Sequence, residues 1–455
     1  MARNEFKAGA AKVNITPVLG VRINGDFITH YANYIHDDLF VRALVLENAG
    51  ERMVFVVLDT CIIPEYLANE FKSLISVNTG IPFPNILVAS THTHAAGSLA
   101  DVHLGSIDID YTRSIPPKIL AAVQQAIQSL EPAVIGHTAV DVPEHVVCRR
   151  YYMKDGYTSI NPVTGEPDVV KTNPVGVEKF IDKRVANPDP ALSCLAVRNK
   201  NGRWISILAN YSLHYVGDWD NGTISADYFG VFNNYLESKL GEGNFTSILT
   251  NGTSGDINIW DFLQPDRYPT EKFAKSKVIG EDLASRLLGA LDKAQWDENP
   301  DLKVIYQKIP LAVQKPNQSI VENARRLVSS SNYETLNPEL PEDIRKLYAR
   351  EQLYLDQFPD TIYCPIQAFK IGRFYLGALS GEFFAETGLR LKESLKENPY
   401  FTISMANGNI GYVPPKEQLA LGGYETWRCR YSCAEEDAEQ IVRQALLEAI
   451  QNLAQ

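Results

Sequence analysis

The chain has 455 residues, 45% of them hydrophobic, with 22 Tyr and 18 Phe. That is enough for a large buried core and, by length alone, for two or more domains. The formal net charge of −12 argues against a nucleic-acid partner, which needs a basic face, and no apolar run of about 18 residues predicts a transmembrane helix.

The opening residues Met1-Ala2-Arg3-Asn4-Glu5-Phe6-Lys7 lack an apolar h-region. They predict a cytoplasmic protein, or a secreted or periplasmic one whose leader has been removed. Residues 39–47 and 52–58 read as a hairpin around Asn48-Ala49-Gly50. A helix is predicted over 64–76, followed by a buried strand in Pro84-Asn85-Ile86-Leu87-Val88-Ala89. Residues 116–130 have helical apolar spacing with Pro116 and Pro117 near the start, and a strand follows over 133–138. Residues 141–190, rich in Pro, Asn, Asp and Lys, read as a long functional or flexible loop. Strands over 191–198 and 204–211, a helix over 228–240, a strand over 246–250 and an amphipathic helix over 273–294 come next. The charged stretch 316–358 predicts one or two solvent-facing helices, an insertion. A hairpin turns at Gly372 between 366–371 and 373–378, and helix 384–395, strand 401–406 and helix 434–453 close the chain. This alternation predicts an α/β fold, a mixed β-sheet core flanked by helices.

The chemistry concentrates at strand ends. Ser90-Thr91-His92-Thr93-His94-Ala95-Ala96-Gly97 follows the buried strand. Two histidines two residues apart point to the same side of an extended chain, and neutral imidazole is the commonest zinc ligand. His214 ends another apolar strand, in a chain with only eight histidines. Glu382 stands one residue after a glycine between a strand and a helix, where sheet enzymes place active groups; as a helix-terminal acid it also suits the macrodipole. Tyr412 lies in the glycine-rich Asn407-Gly408-Asn409-Ile410-Gly411-Tyr412-Val413, where a core aromatic is the plainer reading. Gly252-Thr253-Ser254-Gly255-Asp256-Ile257-Asn258 is a turn that offers backbone N–H groups to a substrate or oxyanion, or a simple tight turn. It lacks the P-loop lysine, and neither Gly-x-Ser-x-Gly nor HExxH occurs. Cys61 and Cys194 read as buried thiols; Cys429 and Cys433 form the only close pair, a disulfide at most.

With these residues in view, the chain resembles the N-terminal catalytic domain of neutral/alkaline non-lysosomal ceramidases over nearly its whole length, and most closely a bacterial branch of single-domain relatives. The family's Thr-His-Thr-His is Thr91 to His94, its Gly-Asp turn Gly255-Asp256, its Gly-Glu-Phe Gly381-Glu382-Phe383, and its Gly-Tyr-Val segment Gly411-Tyr412-Val413. The resemblance implies one catalytic domain over 1–455 without the family's C-terminal immunoglobulin-like domain. It implies a Zn2+ held by His92, His214, Glu382 and Tyr412, with His94 acting on the water rather than as a ligand. It further implies that His36 lines the pocket and that Arg149 or Arg150 contacts the substrate. Asn258 stands where ceramidases carry a serine proposed to act in catalysis, which puts ceramide itself in doubt.

The expected reaction is zinc-assisted hydrolysis of an amide, or an ester, of a small-molecule or lipid-like N-acyl substrate. His94 is the expected base and acid, with Gly255, Asp256 and Tyr424 at the substrate. Asp227 is an expected support for the site or a helix cap. Two other readings stand beside it: a zinc-dependent carbohydrate deacetylase or lyase, with Tyr151, Tyr152, Tyr424 and Trp427 stacking on sugar rings, and a non-catalytic ligand-binding protein. The sequence leaves the oligomeric state open.

Overall fold

The computed structural model describes residues 5–241 and 243–454. A large sheet runs in the order Thr246–Asn251, Trp204–Tyr211, Ala191–Asn199, Glu131–Asp141, Lys7–Asn14, Phe40–Asn48, Glu51–Leu58, Ile86–Ser90. The predicted hairpin is present, with Ala49 and Gly50 both at positive φ in its turn. Each end of the sheet is a strand–helix–strand crossover. Glu51–Leu58 leads through helix Glu65–Thr79 to the parallel strand Ile86–Ser90. Trp204–Tyr211 leads through helix Asp227–Leu240 to the parallel strand Thr246–Asn251. Parallel strands need cover on both faces, and every residue of these two outer strands is buried.

In a flat sheet those outer strands would be far apart. Here the sheet curls until one short segment bonds to both: Ser404 N donates to Asn251 O (2.9 Å), Ser90 N to Met405 O (3.2 Å) and Asn407 N to Val88 O (2.7 Å). That segment leaves a second sheet, ordered Leu302–Ala312, Thr361–Ile371, Phe374–Leu379, Tyr400–Ile403. A third crossover lies within it, from Phe374–Leu379 through helix Ala385–Ser394 to the parallel Tyr400–Ile403. Phe55, Leu87, Leu195, Ile248, Phe369 and Phe401 pack between the two sheets. The helix Ala438–Ala454 covers the outer face of the second sheet through Val442, Leu446 and Ile450.

Some elements depart from the sequence expectation. The helix expected from 116 begins at Ile109, capped by the Asp108 side chain, which accepts from Tyr111 N (3.0 Å). Pro116 and Pro117 lie inside the helix, which tertiary burial of Tyr111, Ile115, Ile119 and Val123 holds together against the backbone bonds the prolines remove. Residues 141–190 are not a plain loop: Val170–Thr172, Arg150–Met153 and Ile181–Arg184 form a three-stranded sheet in that order. The charged stretch forms the helices Gln318–Ser329 and Pro341–Asp356, the second burying Leu347, Tyr348 and Leu355. All six cysteines are free and buried, Cys429 and Cys433 included. No described helix is long and apolar enough to cross a membrane.

Candidate functional site

Each crossover delivers one side chain to the same point beside the curled sheet's seam. His92 follows Ile86–Ser90, His214 follows Trp204–Tyr211 and Glu382 follows Phe374–Leu379; strand C-terminal ends are where open α/β sheets bind ligands. His92 Nε2 lies 3.1 Å from His214 Nε2 and 3.6 Å from Glu382 Oε2, and His214 Nε2 is 3.7 Å from the same oxygen. All three residues are buried.

Backbone carbonyls set the tautomers. His92 Nδ1 donates to Cys61 O (2.8 Å) and His214 Nδ1 to Ser254 O (3.1 Å), so each Nε2 presents a lone pair to the centre. Glu382 Oε2 is buried with no hydrogen-bond partner. Two lone pairs and a carboxylate oxygen therefore face one another with no donor between them. A buried set of acceptors is unfavourable by itself and is what a divalent cation satisfies; two imidazoles and a carboxylate are a donor set of the catalytic-zinc kind.

Tyr412 stands beside this set because Glu382 and Tyr412 are direct partners in the parallel pair Glu382–Phe383 and Tyr412–Val413. The close packing requires Gly411, at φ 83°, where any Cβ would run into the Tyr431 carbonyl. Arg149 Nη2 donates to the Tyr412 hydroxyl (3.1 Å) and to Gly255 O (2.7 Å). Burial, then the Glu382 carboxylate, pushes the Tyr412 phenol well above its ordinary value, while Arg149 pulls the other way. His94 Nε2 lies 3.2 Å from His92 Nε2, and its ring stacks on Tyr215 at 3.7 Å. Burial, with His92 alongside, holds His94 well below the ordinary histidine range. His92 itself sits at φ 72°, a costly conformation for a non-glycine residue; its N–H is held by Thr60 O (2.9 Å).

These groups lie at a cleft of about 970 Å³ lined by His94, His214, Arg149 and Tyr412, with Tyr424 and Trp427 among its aromatic residues. Asn161 and Lys171 also line it, as do Glu342 and Arg345 at the start of helix Pro341–Asp356. The charged stretch thus contributes to the cleft.

No family model matches the sequence. The crystal structure of neutral ceramidase from Pseudomonas aeruginosa superposes with a TM-score of 0.75 at 17% identity, covering 99% of this chain and 74% of that one. A ceramidase complexed with C2 gives a TM-score of 0.72 at 16% identity, covering 99% and 75%. The chain has the neutral ceramidase fold. Neutral ceramidase B of Dictyostelium discoideum is 21% identical over 486 residues, which cover 86% of this chain and 64% of that protein, so the chain spans less than two thirds of that relative's length.

Within this ceramidase-like fold the expected site residues separate into two groups. His92, His94, His214, Glu382, Tyr412, Arg149 and Tyr424 come together around the cleft. His36 does not: it is exposed, and its ring stacks on Phe273 at 3.5 Å. Its neighbour Asp37 turns inward instead, accepting from Ala226 N (2.6 Å) and the Ser225 hydroxyl (3.0 Å). Of the two arginines only Arg149 reaches the cleft, because adjacent residues on an extended chain face opposite ways. Arg150 is fully buried, bonded to Glu425 (2.9 Å) and Gln418 O (2.9 Å). Asn258 lies behind the lining, its amide donating to Asn173 Oδ1 (2.6 Å); Asn173 faces the cleft.

The glycine-rich turn is not part of the cleft lining and packs against the site from behind. Gly255 N donates to Phe383 O (2.8 Å) and Ile257 N to Ser254 O (3.0 Å), so those N–H groups are not available to an oxyanion. Gly255 is required by close approach, since a Cβ there would run into the Glu382 carbonyl. Asp256 caps helix Ala385–Ser394 by accepting from Ala385 N (2.8 Å), and burial raises its carboxyl to about 6. Asp227 bonds Val216 N (2.7 Å), fixing the loop after His214. Tyr151 is buried against Phe262, not exposed for stacking. Sequence reading missed Glu425, which binds both arginines, and Tyr215 beneath His94. A buried acid carries no local motif; Tyr215 was signalled only by standing next to His214.

Proposed function

We propose that this chain is a zinc-dependent hydrolase that cleaves an N-acyl amide bond. The observation that carries the reading is the buried, donor-free set of His92 Nε2, His214 Nε2 and Glu382 Oε2, with Tyr412 as the fourth ligand. When bound there, a zinc ion supplies Lewis acidity, polarising a carbonyl and acidifying water. His94 takes the proton from the attacking water at Nε2 and returns it to the departing nitrogen as the carbon–nitrogen bond breaks. Tyr215 holds that imidazole by stacking. Arg149, pinned by Glu425 (2.7 Å) and Gly255 O, keeps a fixed positive charge beside the Tyr412 oxygen and favours its ionised form. The relatives' names specify ceramide; for this chain the substrate class proposed is the broader N-acyl compound.

Metal analysis of the purified protein tests the reading. Roughly one zinc per chain is expected in the wild type, lost in His214→Ala and in Glu382→Ala and retained in His94→Ala, which loses turnover. A well-folded wild type that takes up no zinc overturns it. A panel of ceramides and short polar N-acyl compounds then reads the substrate.

A further inference from the structure

A second groove of about 710 Å³ is lined by Gly217 and Trp260, both neighbours of Tyr215. Tyr215 stacks on His94 toward the cleft and meets Trp260 edge-on at 6.3 Å toward the groove. Gly217, at φ 68°, fills the angle between them: a Cβ there would come within 2.6 Å of the Tyr215 ring and 3.7 Å of Trp260. Trp219, Trp260, Phe262 and Tyr268 all line the groove.

The charges in the groove select the ligand. Asp220 pairs with Lys272. Asp261 pairs with Arg184 (2.5 Å) and lies 3.8 Å from Arg267. Glu178 accepts from Gly176 N (2.8 Å). Two further charged groups stand outside these pairs. Asp218 bonds Ser276 N through Oδ2 (3.0 Å), leaving Oδ1 without a partner. Lys275 makes no hydrogen bond or ion pair among the described residues, and burial lowers its amine from the ordinary lysine value. A cationic ligand would meet Lys272 and Lys275, and an anionic one would meet four carboxylates. Aromatic planes with a free donor and a free acceptor suit a neutral ring bearing hydroxyls.

We propose that this groove binds a neutral saccharide ring, with Trp219 and Trp260 as stacking surfaces and Asp218 and Lys275 as hydroxyl partners. Tyr215 touches both His94 and Trp260, so the groove is placed to act as a subsite for an N-acylated sugar chain whose acyl group reaches the cleft; that last step rests on the hydrolase reading, while the binding does not.

The test titrates N-acetylglucosamine and its oligosaccharides into the full-length protein, followed by tryptophan fluorescence and saturation-transfer NMR, with choline as the cationic control. Saturable binding that strengthens with chain length is expected. It weakens about tenfold or more in Trp219→Ala and in Asp218→Asn, and persists in Trp219→Phe. Binding of this kind without release of acetate supports the groove as a saccharide site and overturns only the step that carries the acyl group to the cleft. Turnover of a small N-acyl compound by a protein that binds no saccharide overturns the groove and leaves that reading standing. Preferential binding of choline, or saccharide binding unchanged in both disruptive variants, also overturns it.

Discussion

Glu425→Gln is the sharpest test of how the site is held. Glu425 is fully buried, with Oε1 bonded to Arg149 Nε (2.7 Å) and Oε2 to Arg150 Nη1 (2.9 Å) and the Thr172 hydroxyl (2.7 Å). Burial opposes its ionisation, but the two guanidinium charges outweigh burial and keep the carboxyl below the ordinary glutamate range. An amide removes the charge and turns an NH2 group toward one arginine, leaving two buried cations uncompensated. Breaking a buried ion pair from one side costs ~3–5 kcal/mol. At ~2.1 cal/mol/K per residue, 455 residues give an unfolding entropy of about 1 kcal/mol/K, so the melting temperature should fall by about 3–5 °C. The assay is denaturant unfolding with thermal melting beside it. Adding Arg150→Met should recover part of the loss, because it removes one of the stranded charges. A Glu425→Gln loss below about 1 kcal/mol, or a double variant less stable than the single, would refute the view that this carboxylate carries both arginines.

Gly255→Ala should disturb the metal site without touching a ligand, since its Cβ would push on the Glu382 carbonyl; metal affinity should drop by about 10–100-fold, read by chelator competition, with unchanged affinity counting against the packing argument. Glu351 offers a pH test. Burial raises its pKa, but bidentate Arg430 (2.7 and 2.9 Å) and His103 pull it down to about 2, from 4.5 in the unfolded chain. A lowered folded value means stability that is whole above pH 4.5 and lost as pH falls toward 2. The wild type should therefore lose about 3 kcal/mol across that window that Glu351→Gln does not, and equal acid limbs in the two proteins would show that the pair is not coupled to folding.

The strand-end histidines were readable because two ordinary signals coincide there: an apolar run long enough for a buried strand, then a polar loop rich in small residues. Glu382 was readable for the same reason, through Gly381 after a strand. Tyr412 was not, since a tyrosine in a glycine-rich loop looks like packing until the strand pair places it opposite Glu382; only the family resemblance singled it out. The choice between Arg149 and Arg150 needed the face of a short extended segment, and a one-residue shift exchanges the faces. His36 misled because the segment that carries it runs alongside the site while its side chain turns out toward Phe273. Asp256 and Gly255 were read as substrate contacts because a Gly-Asp turn after a strand looks the same whether its polar groups face solvent or the next helix.

The curl of the large sheet explains why a chain with ligands at positions 92, 214 and 382 makes one site. His92 follows the last strand of the order and His214 the strand next to the opposite end, so their contact depends on the closure made by Ser404, Met405 and Asn407. The same segment leaves the strand beside the one that precedes Glu382. Three crossovers therefore share one seam, and the site can form only when the second sheet has docked on the first. The left-handed backbone at His92, Met405 and Asn407 gathers at this seam, where strain persists only because the surrounding structure fixes it. Cation binding and closure of the seam should be thermodynamically linked, with the bound ion stabilising the docked sheets by mass action.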